Sequence, residues 1–439
     1  MSTSVLTRFV EGAQGLSLGP MVRCGVLTKV AGTLLTARGI RAPVGSCCEL
    51  QAEGGEFISC EVVGFSGEEA MLMPLEAVHG LLPGAAVRVL SHTARVGVCE
   101  ELMGRVVDGL GKPLDGRGPL EFTAYVPLRG ERLNPLLRTP INSVLDVGVK
   151  TINCFITLGV GQRVGLIAGS GVGKSTLMGM ICRAAAADVI VIGMIGERGR
   201  EVAEFVSDVL GTEAIKKAVV VAAPGDVSPL IRLRATHYTC AVAEYFRDRG
   251  KRVLLLMDSL TRVAHAQREV GLAIGEPPTT KGYTPSVFSL INEIVERAGN
   301  FSQSGSITGI YTILAEGDDS NDPIVDAARA ILDGHVLLSR DLAALGQYPP
   351  IDVNNSISRL ALKLLSREQL SWTAKFRKLM AKYEENRDLI AVGAYRLGTD
   401  PELDEAIQRR QVMRNFLSQD THEAFSVDSG FAKMVETLT

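Results

Sequence analysis

The stretch AGSGVGKST, residues 168–176, constrains the fold most strongly, because it joins an apolar run to a run of helix-forming residues. Residues 164–167 are typical of a strand end, and residues 176–186 favour a helix. A glycine-rich turn between a strand and a helix places backbone N–H groups and the helix N-terminus against phosphate oxygens. The sequence therefore predicts an α/β sheet with a phosphate-binding loop at its edge.

Each residue type in this loop has a chemical reason to be there. Glycines relieve crowding where a backbone wraps an anion, Lys174 can reach the β- and γ-phosphates, and the Ser175 hydroxyl can ligate Mg²⁺. The usual pattern begins with glycine, whereas Ala168 ends the strand, where any L-residue fits. The mismatch is thus expected to be harmless. The alternative is a structural turn with a surface lysine. The predicted nucleotide-binding residues are Gly169, Ser170, Gly171, Val172, Gly173, Lys174, Ser175 and Thr176.

Apolar strands alternate with helices after Val149, which predicts a parallel sheet covered on both faces. The predicted strands are Arg163–Ala168, Val189–Ile195, Val219–Ala222, Arg252–Met257, Ile307–Leu314 and His335–Leu338. Two acids stand where strands end, Glu197 and Asp258, at the edge where ligands bind in such sheets. Hydrolysis of a nucleotide needs a group that orients water and a group that holds Mg²⁺. Taken singly, either acid could instead be a solvated strand-end charge.

The rest of the chain divides by composition. Short β-rich runs in residues 21–95 predict a small barrel, and the Gly-, Pro- and Asp-rich residues 96–148 predict a linker. Residues 149–359 carry the strand–helix alternation, and residues 360–439 favour helices. Within residues 1–20, four apolar residues at helical spacing could form one face of a helix. They are Val5, Leu6, Phe9 and Val10.

Charge and cysteine content exclude several classes of protein. The net charge of -3 gives no electrostatic case for nucleic-acid binding. No apolar run approaches the roughly 20 residues that span a bilayer, so a cytoplasmic location is expected. The eight cysteines include no C-x-x-C pair, which predicts reduced, mostly buried thiols instead of a metal site or a disulfide framework.

Several motifs together resemble the type III export ATPases, which are the flagellum-specific ATPase and its injectisome relatives, kin of the rotary ATP synthase catalytic subunit. The motifs are AGSGVGKST, GERGRE (196–201), MDSLTRVAHAQREVGLAIGEPPTTKGYTPSVFSL (257–290), ILDGHVLLSR (331–340) and SISR (356–359). The resemblance extends from the barrel to the C-terminus. Its most specific part is Pro-Pro-Thr-Thr, since phosphate loops occur in many families.

The resemblance implies an α/β fold in which a RecA-like parallel-sheet ATPase domain follows an N-terminal β-barrel and precedes a C-terminal helical domain. It further implies that residues 169–176 bind ATP, that Glu197 orients the attacking water with Arg198 beside it, and that Asp258 and Ser175 hold Mg²⁺. Tyr348 matches an aromatic that stacks on adenine. Arg359 matches an arginine finger that acts across a subunit interface. Without the resemblance, Tyr348 could simply pack beside its prolines and Arg359 could be a surface cation.

The same resemblance implies the partners. They are five other copies in a homo-hexamer, a regulatory stator protein at the N-terminus, a central stalk protein, export substrates with their chaperones, and an export gate at the inner membrane. The implied location is the cytoplasmic face of that membrane. Residues 277–283 are expected to form a stiff loop facing the ring channel, or a passive surface loop. Residues 400–405 either touch the stalk or supply an acidic first helical turn.

The expected function is ATP hydrolysis that energises protein export through a type III secretion apparatus. The stretch DAARAILDGH (326–335) favours the flagellar apparatus over an injectisome. A remote alternative is an RNA-translocating motor with the same core, but residues 21–90 contain only Phe57 and Phe65 as aromatics, a poor stacking platform. A ring subunit that binds nucleotide without turnover is disfavoured by the presence of both Lys174 and Glu197.

Overall fold

The computed structural model describes residues 24–76, 78–91, 94–131, 134–302, 304–315 and 322–439. The chain divides into two compact units, Met1–Ala94 and Arg95–Thr439. Residues 1–20, where the docking helix is predicted, lie outside the described residues. Among the helices in the described ranges, none is long and apolar enough to cross a membrane. Six of the eight cysteines are buried and all eight are free thiols, as predicted.

The first unit is a closed antiparallel barrel with the strand order β1-β2-β5-β4-β3-β6. Alternate residues face inward, and Leu35, Leu50, Val62 and Leu72 in its core have no exposed surface. The barrel prediction is confirmed. The strands are β1 Cys24–Ala31, β2 Leu34–Arg38, β3 Cys47–Gln51, β4 Phe57–Ser66, β5 Glu69–Pro74 and β6 Ala86–Ser91.

The second unit is built on a nine-stranded, mostly parallel sheet. Eight strands follow the order β19-β18-β12-β17-β15-β13-β14-β8, and the ninth, β16, pairs with β17. Strands β13 and β14 are buried along their whole length, so both faces of the sheet are covered as predicted. The strands of this unit are β7 Arg95–Val98, β8 Val106–Val107, β9 Ala124–Pro127, β10 Val144–Leu145, β11 Leu158–Gly159, β12 Arg163–Ala168, β13 Val189–Ile195, β14 Ala218–Ala223, β15 Arg252–Asp258, β16 Gly299–Asn300, β17 Ser306–Leu314, β18 Gly334–Leu337 and β19 Ile357–Ser358.

Helices connect these strands and continue to the C-terminus. They are α1 Lys150–Phe155, α2 Lys174–Ala184, α3 Gly199–Glu204, α4 Gly211–Ala214, α5 Pro229–Arg247, α6 Leu260–Ala273, α7 Pro285–Glu296, α8 Pro323–Ile331, α9 Arg340–Ala344, α10 Ala361–Leu364, α11 Arg367–Glu385, α12 Arg387–Ala391, α13 Pro401–Leu417 and α14 Val427–Leu438. A π-helical segment, Phe205–Leu210, continues α3. The proline-rich loop at 277–283 contains one 3-10 turn, Thr280–Gly282.

Residues 96–148, expected to be a linker, are part of the second unit. Strand β8 pairs with β14 at the edge of the main sheet, β7 pairs with β9, and β10 pairs with β11. The partly buried ion pair between Arg105 Nε and Asp115 Oδ2, 2.7 Å apart, joins the start of β8 to the following turn. Glycine and proline content indicated the turns correctly, but two- to four-residue strands are too short to produce a periodic pattern.

The C-terminal helices pack against α1 through aromatic side chains. The Phe155 ring lies 4.9 Å from Phe376 of α11 and 6.2 Å from Phe416 of α13, measured between centroids. The Gln419 side chain accepts a hydrogen bond from Lys150 N at 2.8 Å. Residues 95–439 therefore form one compact unit, which contains the residues on both sides of the predicted 359/360 boundary. The barrel, the parallel sheet and the C-terminal helices confirm the predicted fold class.

Candidate functional site

The phosphate loop runs from the end of β12 to the start of α2. Gly171 and Gly173 adopt φ values of 76° and 92°, which L-residues with side chains rarely adopt. A Cβ added at either position would meet no protein atom within 4 Å. These glycines are therefore needed for backbone conformation, and the space beside them is open to a ligand. Val172 is buried and anchors the loop between them.

Ala168 is the last residue of β12 and is buried. Its carbonyl accepts a hydrogen bond from Ala315 N at 3.1 Å, which continues the pairing between β12 and β17. A residue in this extended conformation gains nothing from being glycine. The departure from the usual pattern is thus accommodated by the strand.

Lys174, the first residue of α2, joins the loop to both predicted acids. Its Nζ donates to Asp258 Oδ1 at 2.5 Å and lies 3.5 Å from Glu197 Oε1. Burial lowers the pKa of Lys174, but the charges of Asp258 and Glu197 outweigh it and the net pKa is raised. The side chain is therefore a charged donor held at the carboxyl edge of the sheet.

Glu197 follows β13 and its side chain is buried. The Glu197 Oε1 atom forms an ion pair with Lys174 and makes no hydrogen bond with any described residue. Burial raises the pKa of the Glu197 carboxyl, and the charge of Asp258 adds to this while Lys174 opposes it. A buried carboxylate oxygen that makes no hydrogen bond within the described chain is suited to accept one from water or to take up a proton.

Asp258 ends β15 and is 2% exposed. The residues around it fit Mg²⁺, which is usually held by one or two carboxylates together with substrate phosphates. Asp258 supplies the carboxylate, and Ser175 presents an exposed hydroxyl in the first turn of α2. Across the described ranges, no group of three or more His, Cys, Asp or Glu side chains could hold a metal ion. The phosphates of a bound nucleotide would have to complete the coordination.

Arg198 lies next to Glu197 in the chain but outside this cluster. Its side chain is 86% exposed, and its Nη1 lies 3.6 Å from Glu201 Oε1. Within the described chain, therefore, the structure brings Lys174, Glu197 and Asp258 together and leaves Arg198 at the surface.

Tyr348 is also exposed, at 53%. Its carbonyl accepts a hydrogen bond from Gln419 N at 2.9 Å. Three residues further on, Ile351 pairs with Leu338, whose N donates to Ile167 O beside the phosphate loop. The tyrosine is thus held at the same edge of the sheet as the loop, with its ring accessible.

Arg359 lies at the opposite edge of the sheet. Its backbone N donates to Asp333 O, and Asp333 N donates to Arg163 O, at the first residue of β12. Lys174 follows the other end of that strand, and five steps of about 3.3 Å along a strand separate its two ends by about 17 Å. The exposed guanidinium donates to Arg329 O at 3.0 Å. Arg359 is therefore remote from the phosphate loop of its own chain.

Comparison with known proteins places this site in a family. Residues 148–358 match the nucleotide-binding domain of the ATP synthase alpha/beta family, and residues 365–436 match the T3SS EscN ATPase C-terminal domain. The chain is 51% identical to a flagellum-specific ATP synthase of Pseudomonas aeruginosa over 98% of its own length and 97% of the relative. The chain belongs to the type III export ATPases.

Other members of the family are also similar to this export ATPase. A type 3 secretion system ATPase of Xanthomonas euvesicatoria is 46% identical over 95% of this chain and 93% of the relative. The assembled ATPase EscN of enteropathogenic E. coli has a TM-score of 0.90 and 41% identity over 94% of this chain and all of EscN. The structure of EscN in complex with its central stalk EscO has a TM-score of 0.87 and 39% identity, with the same coverage of both chains. The chain is accordingly an ATP-binding ATPase, which confirms the predicted enzyme class.

Two further side chains of the export ATPase site were missed from the sequence. Thr312 of β17 donates to Asp258 Oδ1 at 2.6 Å. Arg262 of α6 packs against Gly196, where an added Cβ would come within 2.8 Å of the Arg262 Cβ, and its charge opposes the rise in the pKa of Glu197 that burial causes. The available signals were a hydroxyl in an apolar strand and an arginine four residues, about one helical turn, after Asp258. Neither signal is specific enough to assign a role without the fold.

Proposed function

We propose that this chain hydrolyses ATP with Mg²⁺ to energise protein export through a type III secretion apparatus, the flagellar one. The observation that carries the proposal is the cluster at the phosphate loop, where Lys174 lies within ion-pair distance of both Asp258 and Glu197. Hydrolysis of a phosphoanhydride needs these three kinds of group at one point. The membership of the family supports the coupling to export.

Each residue of the cluster has a distinct role in the proposed reaction. The N–H groups of residues 169–176 and the Lys174 ammonium hold the phosphates, and Ser175 and Asp258 would hold Mg²⁺. Bound Mg²⁺ would neutralise phosphate charge as the terminal phosphoryl group departs. Glu197 accepts a hydrogen bond from the attacking water and orients it. Tyr348 stacks on adenine, for which its exposed ring at the loop edge is suited.

Arg359 is assigned to the site of a neighbouring subunit. Its position about 17 Å along β12 from its own phosphate loop supports action in trans. Such action requires a closed head-to-tail ring, which we take to be a homo-hexamer. Arg198, exposed beside Glu197 in the chain, is proposed as a further catalytic cation.

Relatives support the flagellar assignment and the partners. The flagellum-specific relative is more similar to the chain than the type 3 secretion relative, at 51% against 46% identity. A central stalk partner is proposed because the similar ATPase EscN binds its stalk EscO. The remaining proposed partners are a stator protein at residues 1–20, export substrates with their chaperones, and an export gate at the cytoplasmic face of the inner membrane.

The substitution Lys174→Ala tests the catalytic part. It removes the cation that neutralises the terminal phosphate, so steady-state phosphate release should fall to background in a folded protein. Lys216→Ala, which removes an exposed lysine that forms an ion pair with Glu213 on α4, is the matched control and should keep full activity. Phosphate release unchanged in Lys174→Ala would contradict the assignment of the loop.

The proposed coupling to flagellar export has a separate test in the source cell. Deleting the gene should abolish swimming motility and flagellin export, and the wild-type gene but not the Lys174→Ala gene should restore them. Loss of effector secretion with intact motility would instead assign the chain to an injectisome. Stimulation of ATP hydrolysis by poly-C RNA would favour the RNA-motor alternative.

A further inference from the structure

Thr312 carries a hydroxyl in the middle of an apolar strand. It lies within the run Ile310-Tyr311-Thr312-Ile313-Leu314 of β17 and has no exposed surface. A buried hydroxyl is unfavourable unless it is hydrogen-bonded. This one donates to Asp258 Oδ1 at 2.6 Å, while Met257 O is further away at 3.4 Å. The short bond to a carboxylate is of the strong, charge-assisted kind.

The sheet topology brings the two residues together. Strand β17 lies between β12, which leads into the phosphate loop, and β15, which ends in Asp258. Met257 is paired in parallel with Tyr311, so Asp258 and Thr312 follow side by side. Thr312 therefore stands between the phosphate loop and the proposed magnesium carboxylate, on a strand fixed by pairing on both sides.

The same carboxylate oxygen has a second donor, which is Lys174 Nζ at 2.5 Å. In the proposed reaction Lys174 turns to the phosphates, so Thr312 becomes the donor that still holds Oδ1. We propose that Thr312 is a positioning residue that fixes the Asp258 carboxylate for Mg²⁺ when nucleotide binds. The role rests on the proposed function of Asp258, and nothing in it requires Thr312 to touch the substrate or the metal.

The test compares two buried threonines of β17. Thr312→Val removes the hydroxyl at nearly constant shape, and Thr312→Ser keeps it. Thr308→Val is the matched control, because the Thr308 hydroxyl accepts a hydrogen bond from Gly161 N at 2.8 Å and does not contact Asp258. Binding of Mn²⁺ is followed by EPR in the presence of a non-hydrolysable ATP analogue, and binding of the analogue alone is measured in EDTA.

Thr312→Val should weaken Mn²⁺ binding roughly tenfold or more, as is usual when a group that orients a metal ligand is lost, and should raise the Mg²⁺ concentration for half-maximal hydrolysis in proportion. Binding of the analogue in EDTA should stay unchanged, Thr312→Ser should restore metal binding, and Thr308→Val should keep it. Thr312→Cys, with a weakly donating thiol, replaces Thr312→Val if that variant does not fold.

Two outcomes overturn the role of Thr312. Wild-type metal binding in Thr312→Val, or an equal loss in Thr308→Val, assigns Thr312 to the stability of the strand alone. The variant Asp258→Asn distinguishes failure of the positioning role of Thr312 from failure of the metal-binding role of Asp258. If Asp258→Asn loses the metal while Thr312→Val keeps it, only the positioning role fails, whereas intact metal binding in Asp258→Asn removes the metal role of Asp258 as well.

Discussion

At the scale of single residues, two acidic side chains of the site interact with the same lysine. Lys174 lies close to Asp258 and to Glu197, and both acids are buried. Lys174 donates a hydrogen bond to Asp258 but only lies near Glu197. Its positive charge therefore stabilises the Asp258 carboxylate more than the Glu197 carboxylate. Glu197 Oε1 makes no hydrogen bond with a described residue, and burial raises the pKa of the Glu197 carboxyl. The two acids thus have different environments, which suits them to different tasks.

The substitution Glu197→Gln tests the task of Glu197. It keeps the shape of the side chain and removes its charge, so ATP should bind with near-normal affinity while hydrolysis falls at least about a hundredfold. Fluorescent-nucleotide binding and phosphate release measure the two effects. If binding of ATP were lost together with hydrolysis, Glu197 would be structural.

A second residue-scale prediction concerns the pH dependence of stability. Arg105, with two backbone N–H groups, lowers the pKa of Asp115 to about 2 from its ordinary value of 3.8. Since the folded pKa is depressed, the pair should stabilise the fold fully above pH 4 and lose that contribution as the pH falls towards 2. Asp115→Asn should lower the apparent free energy of unfolding by about 1–3 kcal/mol at pH 6.

Urea unfolding of both proteins from pH 6 to pH 3 checks this sign. The difference between wild type and Asp115→Asn should shrink as the pH falls. A difference that is absent at pH 6, or that grows on acidification, would contradict the contribution of the ion pair.

At the scale of elements, the phosphate loop divides into positions that need glycine and a position that does not. Ala168 belongs to the strand, whereas Gly173 has a φ of 92° and is the N-cap residue that precedes α2. Ala168→Gly should cost about 0.5–1 kcal/mol of stability, because glycine weakens a strand, and should leave the KM for ATP unchanged. Gly173→Ala should instead weaken ATP binding, since alanine disfavours that conformation by about 1–2 kcal/mol.

Thermal melting and steady-state kinetics of the two variants separate these effects. An Ala168→Gly protein that binds ATP more tightly than wild type would show that the first position of the loop does matter for the ligand.

The acidic residues at the start of α13 interact with groups of the same chain. Asp400 accepts hydrogen bonds from Glu402 N and Leu403 N at the helix N-terminus and pairs with Lys382 at 2.8 Å. Glu405 pairs with Lys375 at 3.0 Å. These contacts account for the acidic residues within the chain, so the stalk contact at residues 400–405 stays a prediction.

At the scale of the whole molecule, the position of Arg359 makes a single chain incomplete as an enzyme. Arg359→Ala should lose about a thousandfold or more in turnover while still binding ATP, and Lys174→Ala is inactive because its own site lacks the lysine. Mixing the two inactive proteins before assembly should rebuild about one site in four, if subunits enter a head-to-tail ring at random. Phosphate release by the mixture measures the recovery.

Rings shown to be mixed but inactive would mean that turnover is strictly coupled around the ring, or that the arginine acts within its own subunit. A tethered pair of mutant and wild-type subunits distinguishes these two cases. Near-normal turnover of Arg359→Ala by itself would contradict the finger assignment.

Features that depend on neighbours along the chain can be predicted from the sequence. The phosphate loop, the bounds of β12 and β13, and the two acids at strand ends follow from backbone preferences and short-range periodicity, which act over a few residues. The barrel and the covered parallel sheet follow from the same patterns repeated. Residues 96–148 were misread because their strands are too short to show periodicity.

Contacts between residues that are distant in sequence depend on how the whole chain folds. Lys174 and Asp258 are 84 residues apart in sequence, and their contact depends on the order β12-β17-β15 within the sheet. The same order places Thr312 against Asp258, while the antiparallel pairing of β19 with β18 holds Arg359 at the far edge. Strand order is set by the packing of the whole sheet and its helices, so no local stretch of sequence specifies it.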